Sequence, residues 1–182
     1  MKILGCILAL LGAFIVITLI RAIFFKEKRK ENVKLEPEMV NMEKYCQDLS
    51  DAIKIKTISN YDRELVDWNE FDKFHAFLEE RFPLVHKTMT KTKVADASLV
   101  FKWEGTDPSL DGIAMLAHQD VVPITAGTEK DWEHEPFSGY NDGEFIWGRG
   151  AMDMKNHLIA VMECMEELIN EGYQPKCSVY IW

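Results

Sequence analysis

Cysteine pairs, internal repeats and low-complexity tracts are all lacking from this sequence. Its four cysteines, Cys6, Cys46, Cys164 and Cys177, lie far apart, and none belongs to a CxxC pair. That spacing argues against a disulfide framework or a zinc knuckle, and it favours cysteines that act as packing residues. The length of 182 residues suffices for one domain with a real hydrophobic core plus an appendage.

Positive charge is scarce in most of the chain. The net charge is −9, but residues 1–30 carry six Lys or Arg and one Glu, a balance of +5, so the remaining residues carry −14. An acidic body of this kind argues against nucleic acid as a partner. The composition favours no particular oligomeric state.

A long apolar run occurs at the N-terminus. Ile3 to Ile20 contains no charged residue, and a run of about 18 such residues reaches the lower limit for spanning a bilayer. Arg21 can extend its charged head to the interface, so the predicted span continues to Phe25 and covers residues 3–25. We therefore predict that residues 1–30 form a membrane anchor with a basic flank, and that its helix is detached from the folded body.

The alternative to an anchor is a cleaved signal peptide, although no small-residue cleavage site of the A-x-A kind precedes the basic cluster Lys26 to Lys30. The positive-inside rule places that cluster, and the body with it, in the cytoplasm. Lys2 and the amino terminus favour the opposite orientation, so the sequence leaves the side of the membrane open.

After a polar linker at residues 31–40, apolar spacing predicts helices from Met42 to Ile55, from Trp68 to Arg81 and from about Lys155 onward. Strands are predicted at 84–91, 98–105, 112–118 and 177–182, and the third is an unbroken apolar run typical of strands buried on both faces. Residues 119–143 form a long irregular segment. This order predicts an α/β fold over residues 41–182, part of a three-layer αβα domain with a mostly parallel sheet, cut off partway.

Two polar side chains follow the apolar strand in the stretch "AHQDVVP". His118 and Asp120 are two residues apart, so in extended backbone they point to the same side. Such a pair would stand at the carboxyl edge of a sheet, where α/β proteins place their sites. A carboxylate there can orient a metal-bound imidazole. The alternative is an ordinary hydrogen-bonded pair at a strand end.

A third polar group, Asp153, follows the strand-like "EFIW" and the turn "GRGA", and it precedes a helix. By itself it could simply cap the helix that begins near Lys155, since helix N-termini attract carboxylates. Because both acids and the histidine follow strands on the same predicted sheet edge, we expect His118, Asp120 and Asp153 to converge in space.

Several motifs in order along the chain resemble one family. "AHQDVVP", Trp132, "PFSG", "DG" and "IWGRGAMDMK" resemble the di-zinc metallopeptidases of the aminoacylase and carboxypeptidase S type, and the resemblance covers about residues 40–182. It implies hydrolysis of amide bonds in peptides with a free carboxyl end or in N-acyl amino acids. It also implies two zinc ions in the full-length enzyme, with manganese or cobalt as alternatives. His and carboxylate side chains are suitable ligands for these metal ions.

The same resemblance implies a role for each candidate residue. Asp153 would bridge the two metal ions, His118 would bind one of them, and Asp120 would orient His118 and assist catalysis. The peptide bond between Asp153 and Met154 would be cis. We expect Met152 and Met154 to pack beneath the site while the carboxylate alone projects. His75, His86 and His134 match no ligand of the family.

The family's remaining parts would lie after Trp182: a Glu-Glu pair that supplies the base, further ligands and a lid domain. We therefore expect the 182-residue chain to be inactive by itself. Two rivals stay open, a membrane-tethered binding or regulatory module that keeps the fold without the chemistry, and an enzyme that uses a single metal. A Glu-Glu pair in the coding sequence after Trp182 would favour the enzyme over the module, and a metal count would separate one metal from two.

Overall fold

The computed structural model describes residues 2–25 and 41–182, and it separates an N-terminal helix from a compact folded unit. The helices are α1 Lys2–Ile23, α2 Met42–Lys54, α3 Trp68–Arg81, α4 Pro83–Thr88 and α5 Lys155–Asn170. The strands are β1 Thr90–Val94, β2 Ser98–Trp103, β3 Ile113–Met115, β4 Tyr140–Asn141, β5 Ile146–Trp147 and β6 Val179–Ile181. Short 3-10 turns occur at Arg63–Leu65 and Glu129–Asp131.

Helix α1 agrees with the predicted apolar helix. Its segment Leu4–Ile23 spans 20 residues with a mean hydropathy of 2.6, and none of that segment is buried. It is long and apolar enough to cross a membrane, a property that signal sequences near an N-terminus share. The predicted basic cluster Lys26 to Lys30 and the predicted linker, residues 31–40, lie outside the described residues.

Helices α2 and α3 begin at side-chain caps. Asn41 accepts a hydrogen bond from the Lys44 amide at 3.1 Å at the start of α2, and Asp67 accepts one from the Asn69 amide at the start of α3. These contacts satisfy amides that have no partner inside a helix. Helix α2 ends within one residue of its predicted end, and α3 has its predicted bounds.

Helix α4 replaces the first half of the strand predicted at residues 84–91, so that prediction is wrong before Thr90. Pro83 occupies the first helical turn, where its missing amide is tolerated. The Glu166 carboxylate, from α5, accepts hydrogen bonds from the amides of Leu84 and Val85 at 2.9 and 2.8 Å. This long-range cap favours a helix where the apolar residues alone suggested a strand.

The main sheet has the strand order β1-β2-β6-β3. β1 pairs antiparallel with β2, β2 pairs antiparallel with β6, and β6 pairs parallel with β3. The predicted mostly parallel sheet is therefore wrong, and the described sheet is mixed. Residues 95–97, which join β1 to β2, are too few for the crossover that parallel strands require. β4 and β5 form a separate two-stranded hairpin.

Strand β3 lies at an edge of this sheet rather than inside it. Ile113 is 52% exposed and Leu116 is 63% exposed, so the prediction of a strand buried on both faces is wrong. In the part of the chain that the structure describes, β3 pairs on one side with β6. An unbroken apolar run does not distinguish an edge strand from a central one, because both hold the same residue types.

The core lies between the helices and one face of the sheet. Alternate residues of β2 and β6, namely Phe101, Trp103, Val179 and Ile181, are buried against α3, α4 and α5. The opposite face carries side chains that are partly exposed, such as Tyr180. In residues 41–182 these helices cover one face of the sheet, and that the segment forms part of a three-layer domain stays a prediction.

The four cysteines are free, as predicted from their spacing. Cys6 and Cys164 are exposed, however, and Cys46 and Cys177 are partly buried. The prediction that all four are packing residues is wrong for the exposed pair.

A buried charge cluster joins α2, α3 and α5. Lys44 Nζ lies 2.8 Å from an Asp48 carboxylate oxygen and 2.7 Å from one of Glu163, and Arg81 lies 3.2 Å from Asp48. Asp48 is fully buried and Glu163 nearly so. Burial raises the pKa of Glu163, Lys44 opposes that rise, and the neighbouring Asp48 adds to it. Two acids thus share one lysine in a poorly solvated place.

We predict that Glu163→Gln alters the pH dependence of stability. Because the pKa of Glu163 is raised on folding, its protonated form is favoured in the folded state. The wild-type protein should gain free energy of unfolding relative to Glu163→Gln as pH falls toward the ordinary glutamate pKa, and lose it as pH rises through the raised value. Urea unfolding of both proteins between pH 4 and 8 measures this difference.

Glu79→Gln is the matched control, since the hydrogen bond from Lys91 lowers the pKa of this exposed glutamate. The difference in the free energy of unfolding between wild type and Glu79→Gln should depend weakly on pH, with the opposite sign, and it should shrink with added salt. Equal pH profiles for wild type and Glu163→Gln would contradict the prediction.

Candidate metal centre

The segment after β3 is tied to the segment after α2 by backbone hydrogen bonds. The Val121 amide donates to the Thr57 carbonyl at 2.9 Å, and the Ser59 amide donates to the Val121 carbonyl at 2.9 Å. The buried Thr57 hydroxyl donates to the Gln119 carbonyl. These contacts hold "HQDV" in extended backbone at the end of the strand.

The side chains of this segment alternate, as the extended backbone predicts. Gln119 Oε1 lies 3.0 Å from His75 Nε2, and its amide nitrogen donates to the Ala97 carbonyl. His118 and Asp120 contact each other instead, with His118 Nδ1 2.9 Å from the Asp120 carbonyl oxygen and 3.3 Å from a carboxylate oxygen. Asp120 therefore orients the imidazole through its backbone more closely than through its side chain.

The other ring nitrogen of His118 faces Asp153. The distance from His118 Nε2 to Asp153 Oδ1 is 3.0 Å, although 35 residues separate the two in sequence. The predicted convergence of His118, Asp120 and Asp153 is confirmed. The alternative role for Asp153, that of a helix cap, is not observed, because α5 begins without a side-chain cap.

Asp153 lies in a turn that a backbone hydrogen bond closes. The Lys155 amide donates to the Gly150 carbonyl at 2.9 Å. Gly150 has φ +88°, and a side chain there would meet Val121 Cγ1 at 2.7 Å. The glycine thus allows the "GRG" turn to approach the "HQDV" segment closely, which brings Asp153 to His118.

The methionines beside Asp153 do not both pack as predicted. Met152 is 86% exposed, so the expectation that it lies beneath the site is wrong, and Met154 is only partly buried. Lys155 is fully buried there instead. Its Nζ donates to the carbonyls of Ala52 and Ile55 at 2.8 and 2.6 Å, and burial lowers the pKa of Lys155 to about 7.

The buried position of Lys155 was not predicted from the sequence, although a signal was present. It lies three, four and seven residues before Leu158, Ile159 and Met162, on the apolar stripe of α5, and all three of those residues are buried. A lysine on such a stripe is out of pattern and marks a candidate buried charge.

His118 has hydrogen-bond acceptors at both ring nitrogens. Burial of the ring lowers its pKa, but the Asp120 carbonyl and the Asp153 carboxylate outweigh that effect, so the pKa of His118 is raised. Neutral imidazole carries one N–H, which leaves one of the two acceptors without a donor. A cation between Nε2 and Asp153 resolves this, either a proton or a metal ion.

The donor set fits one side of a zinc site. With Nδ1–H directed to the Asp120 carbonyl, the Nε2 lone pair faces Asp153, which is the tautomer that metal-binding histidines need. The 3.0 Å between the two donor atoms approaches the spacing of about 3.3 Å between two ligands of a tetrahedral zinc ion. Over residues 2–25 and 41–182, however, no group of three or more potential ligands comes together.

The three histidines that match no ligand of the family make other contacts. His75 hydrogen-bonds to Gln119, His86 Nδ1 lies 2.9 Å from the Phe82 carbonyl oxygen, and the His134 ring stacks on Tyr140 at 4.2 Å between centroids. That they bind no metal stays a prediction.

A cleft of about 400 Å³ opens beside His118 and Asp120. Its walls are mainly apolar and include Trp68, Phe71, Leu99, Leu158 and Ile181. The cleft thus places apolar surface next to the candidate donors.

Comparison with known proteins identifies the chain. Residues 114–182 match peptidase family M20/M25/M40. Carboxypeptidase S of Saccharomyces cerevisiae is 38% identical over 138 residues, which are 72% of this chain and 24% of that protein. A carboxypeptidase S-like protein of Dictyostelium discoideum is 44% identical over 74% of this chain and 26% of its own length. The chain belongs to this peptidase family.

A further relative of the M20 chain is the mouse N-fatty-acyl-amino acid synthase/hydrolase PM20D1, 38% identical over 73% of this chain and 26% of that protein. The chain therefore spans about a quarter of the length of these curated relatives. Among solved structures, the di-peptidase Dug1p of Saccharomyces cerevisiae has a TM-score of 0.55 at 19% identity, covering 77% of this chain and 31% of that one. The metallo-carboxypeptidase Sso-CP2 of Sulfolobus solfataricus has a TM-score of 0.55 at 20% identity, covering 75% and 29%.

These findings confirm the family resemblance, and the solved structures support the fold. The peptide bond between Asp153 and Met154 is cis, as the resemblance implied. The roles of His118 and Asp153 as metal ligands and of Asp120 as a catalytic residue stay predictions.

We predict that Gly150→Ala destabilises this M20 chain more than Gly143→Ala does. Both glycines have positive φ, +88° and +94°, so both substitutions carry backbone strain of about 1–3 kcal/mol. Only Gly150 has a close neighbour, Val121, and overpacking there adds about 1–3 kcal/mol. Urea unfolding of the two variants measures the difference, and equal losses would show that the close contact between the two loops is unimportant.

Proposed function

We propose that this chain forms part of a membrane-anchored, metal-dependent amidohydrolase that acts on peptides or N-acyl amino acids with a free carboxylate. The observation that carries the proposal is the 3.0 Å approach of His118 Nε2 to Asp153, with Nδ1 held by Asp120. The named activities of the relatives, carboxypeptidase and N-fatty-acyl-amino acid synthase/hydrolase, support this substrate class.

Each residue has a defined task in this proposal. His118 and Asp153 would hold zinc, with manganese or cobalt as alternatives, and Asp153 would bridge two ions in the full-length enzyme. When bound, the metal lowers the pKa of a water and polarises the substrate carbonyl. Asp120 keeps the His118 tautomer and orientation by accepting the Nδ1–H, and its carboxylate is available for proton transfer.

The candidate donors are open to a substrate. The Asp153 side chain is 87% exposed, and those of His118 and Asp120 are 44% and 40% exposed. The apolar cleft beside His118 suits an acyl chain or an apolar side chain. We propose that the 182-residue chain alone is inactive, since two donors are fewer than the three protein ligands that a catalytic zinc needs.

Asp120→Asn tests the proposed role of Asp120 in the natural full-length protein. We expect kcat/KM for N-acyl amino acids and C-terminal dipeptides to fall by about 10²-fold or more, because the site loses the carboxylate beside His118 as an acid–base group, while the contact from His118 to the Asp120 backbone carbonyl remains. Liberated amino acid, measured by mass spectrometry with and without a chelator, reports the activity.

Asp72→Asn is the matched control for that substitution, since Asp72 is exposed and forms a surface pair with Lys93 at 3.5 Å. It should leave kcat/KM unchanged. Wild-type protein that binds zinc but hydrolyses no substrate in the panel would support the rival, a non-catalytic binding or regulatory module. A bound metal count of one per active protein would support the single-metal enzyme.

The membrane anchor rests on α1, with its apolar segment Leu4–Ile23. We expect deletion of residues 1–30 to convert a protein that pellets with membranes into a soluble, monodisperse one, because burial of this segment in lipid no longer holds it. Ultracentrifugation of cell lysates measures the change. A truncated protein that is monodisperse yet still pellets would contradict the anchor, and a native protein that begins after this segment would support a cleaved signal peptide.

A further inference from the structure

Lys155 is a fully buried lysine whose hydrogen bonds go to backbone carbonyls rather than to a carboxylate. The two acceptors, Ala52 and Ile55, lie at the C-terminal end of α2, where the helix dipole is negative. The ammonium also lies 4.8 Å from the centroid of the Phe74 ring. Its three N–H groups are thus matched by two carbonyls and an aromatic face.

The side chain is joined directly to the turn that carries Asp153. The Lys155 amide closes that turn on the Gly150 carbonyl at 2.9 Å. A Cβ at Gly150 would lie 3.5 Å from Lys155 Cγ and Cδ, so the aliphatic stem runs along the glycine. On its other side Gly150 faces Val121, in the segment that carries His118 and Asp120. Lys155 therefore touches the structure that brings the two loops together.

Stability alone does not explain a lysine here. Burying an ammonium is costly, and apolar residues of similar volume often replace buried charges at no loss. Both acceptors also have another donor, since the Ile55 amide donates to the Ala52 carbonyl at 3.3 Å and the Thr57 amide donates to the Ile55 carbonyl at 3.0 Å. A methionine at this position would fill the space and leave neither carbonyl without a hydrogen bond.

What the lysine adds is a directed contact. Apolar packing permits small shifts and rotations of a helix end, whereas two short hydrogen bonds from one ammonium specify where the first turn of α5 sits on the end of α2. Asp153 lies two residues before that turn, and its carboxylate must meet His118 Nε2 across a gap of 3.0 Å. Displacement of the turn by a fraction of that distance would separate the two donors.

We propose that Lys155 is a positioning residue for the metal centre: its buried ammonium fixes the start of α5 on the end of α2, so that the Asp153 carboxylate stands opposite His118. The inference rests on the proposed function, because it takes the pair His118 and Asp153 to be metal ligands. Lys155 itself acts through Asp153 and touches neither metal nor substrate.

Zinc binding by Lys155→Met in the natural full-length protein, held in detergent micelles, tests the proposal, because the 182-residue chain alone supplies too few donors for a closed zinc site. Affinity for Zn²⁺ alone is measured by competition with a chromophoric chelator, and the affinity of His118→Ala is the background. We expect Lys155→Met to weaken the His118-dependent zinc affinity by about 10-fold or more, the usual effect of losing a group that orients a ligand. Its midpoint of urea unfolding should change little.

Lys44→Met is the matched control. It makes the same substitution and the same charge change on α2, but Lys44 pairs with Asp48 and Glu163 rather than with the turn of Asp153. It should lower stability and leave zinc affinity unchanged. Opposite rankings of the two variants in stability and in zinc affinity would establish positioning, because a structural role moves both measurements together.

Two results would overturn the inference: folded Lys155→Met that binds zinc as tightly as wild type, or equal weakening by Lys155→Met and Lys44→Met. If Lys155→Met fails to fold, Phe74→Leu takes its place, because it removes the ring beneath the ammonium and keeps the lysine. It should weaken zinc binding in the same direction by about twofold or more, and no change would count against the proposal. Wild type and His118→Ala with equal zinc affinity would instead overturn the metal centre itself.

Discussion

The fold around the candidate site depends on how the start of α5 packs against the C-terminal end of α2. The start of α5 lies at the C-terminal end of α2, where the Lys155 ammonium donates hydrogen bonds to the carbonyls of Ala52 and Ile55. The same helix packs its buried stripe against the sheet and, through Glu166, caps α4. A shift of α5 would therefore disturb the core, the neighbouring helix and the turn of Asp153 together, which links the geometry of an exposed site to the packing of the interior.

The three longer helices of the folded unit were predictable from the sequence, but helix α4 and the strand order of the sheet were not. α2, α3 and α5 have apolar residues at helical spacing over thirteen residues or more, and the starts of α2 and α3 follow from the local caps Asn41 and Asp67. The segment 84–88 is short and only its first two residues are apolar, and the choice of helix there depends on Glu166, 81 residues away from Val85. Strand direction and order likewise depend on which distant segments pair, and alternation of side chains carries no such information.

The candidate site, too, was predictable from the sequence only in part. His118 and Asp120 could be placed on one side of the chain by the period of an extended segment, and their contact with Asp153 followed from the expected meeting of strand ends. The residue that is buried beside Asp153 could not be predicted from residue type. Methionine was expected there because it is apolar, yet Met152 is exposed and the buried residue is a lysine. Burial of an ammonium depends on carbonyls 100 and 103 residues away in the chain, so only its position on the stripe of α5 marked it.

The residues that hold the two loops together are different from those that would contact a ligand. The groups that hold the two loops, Thr57, Val121, Gly150 and Lys155, are buried, and their hydrogen bonds are mostly to backbone atoms. The groups that would meet a ligand, His118 and Asp153, are exposed, and each contacts the other. Backbone contacts in a buried layer change little when a ligand binds at the surface, because the buried atoms exchange no partners with water. A cation that replaces the proton between His118 and Asp153 would therefore meet donors that are already aimed, and most of the cost of ordering them has been met by folding.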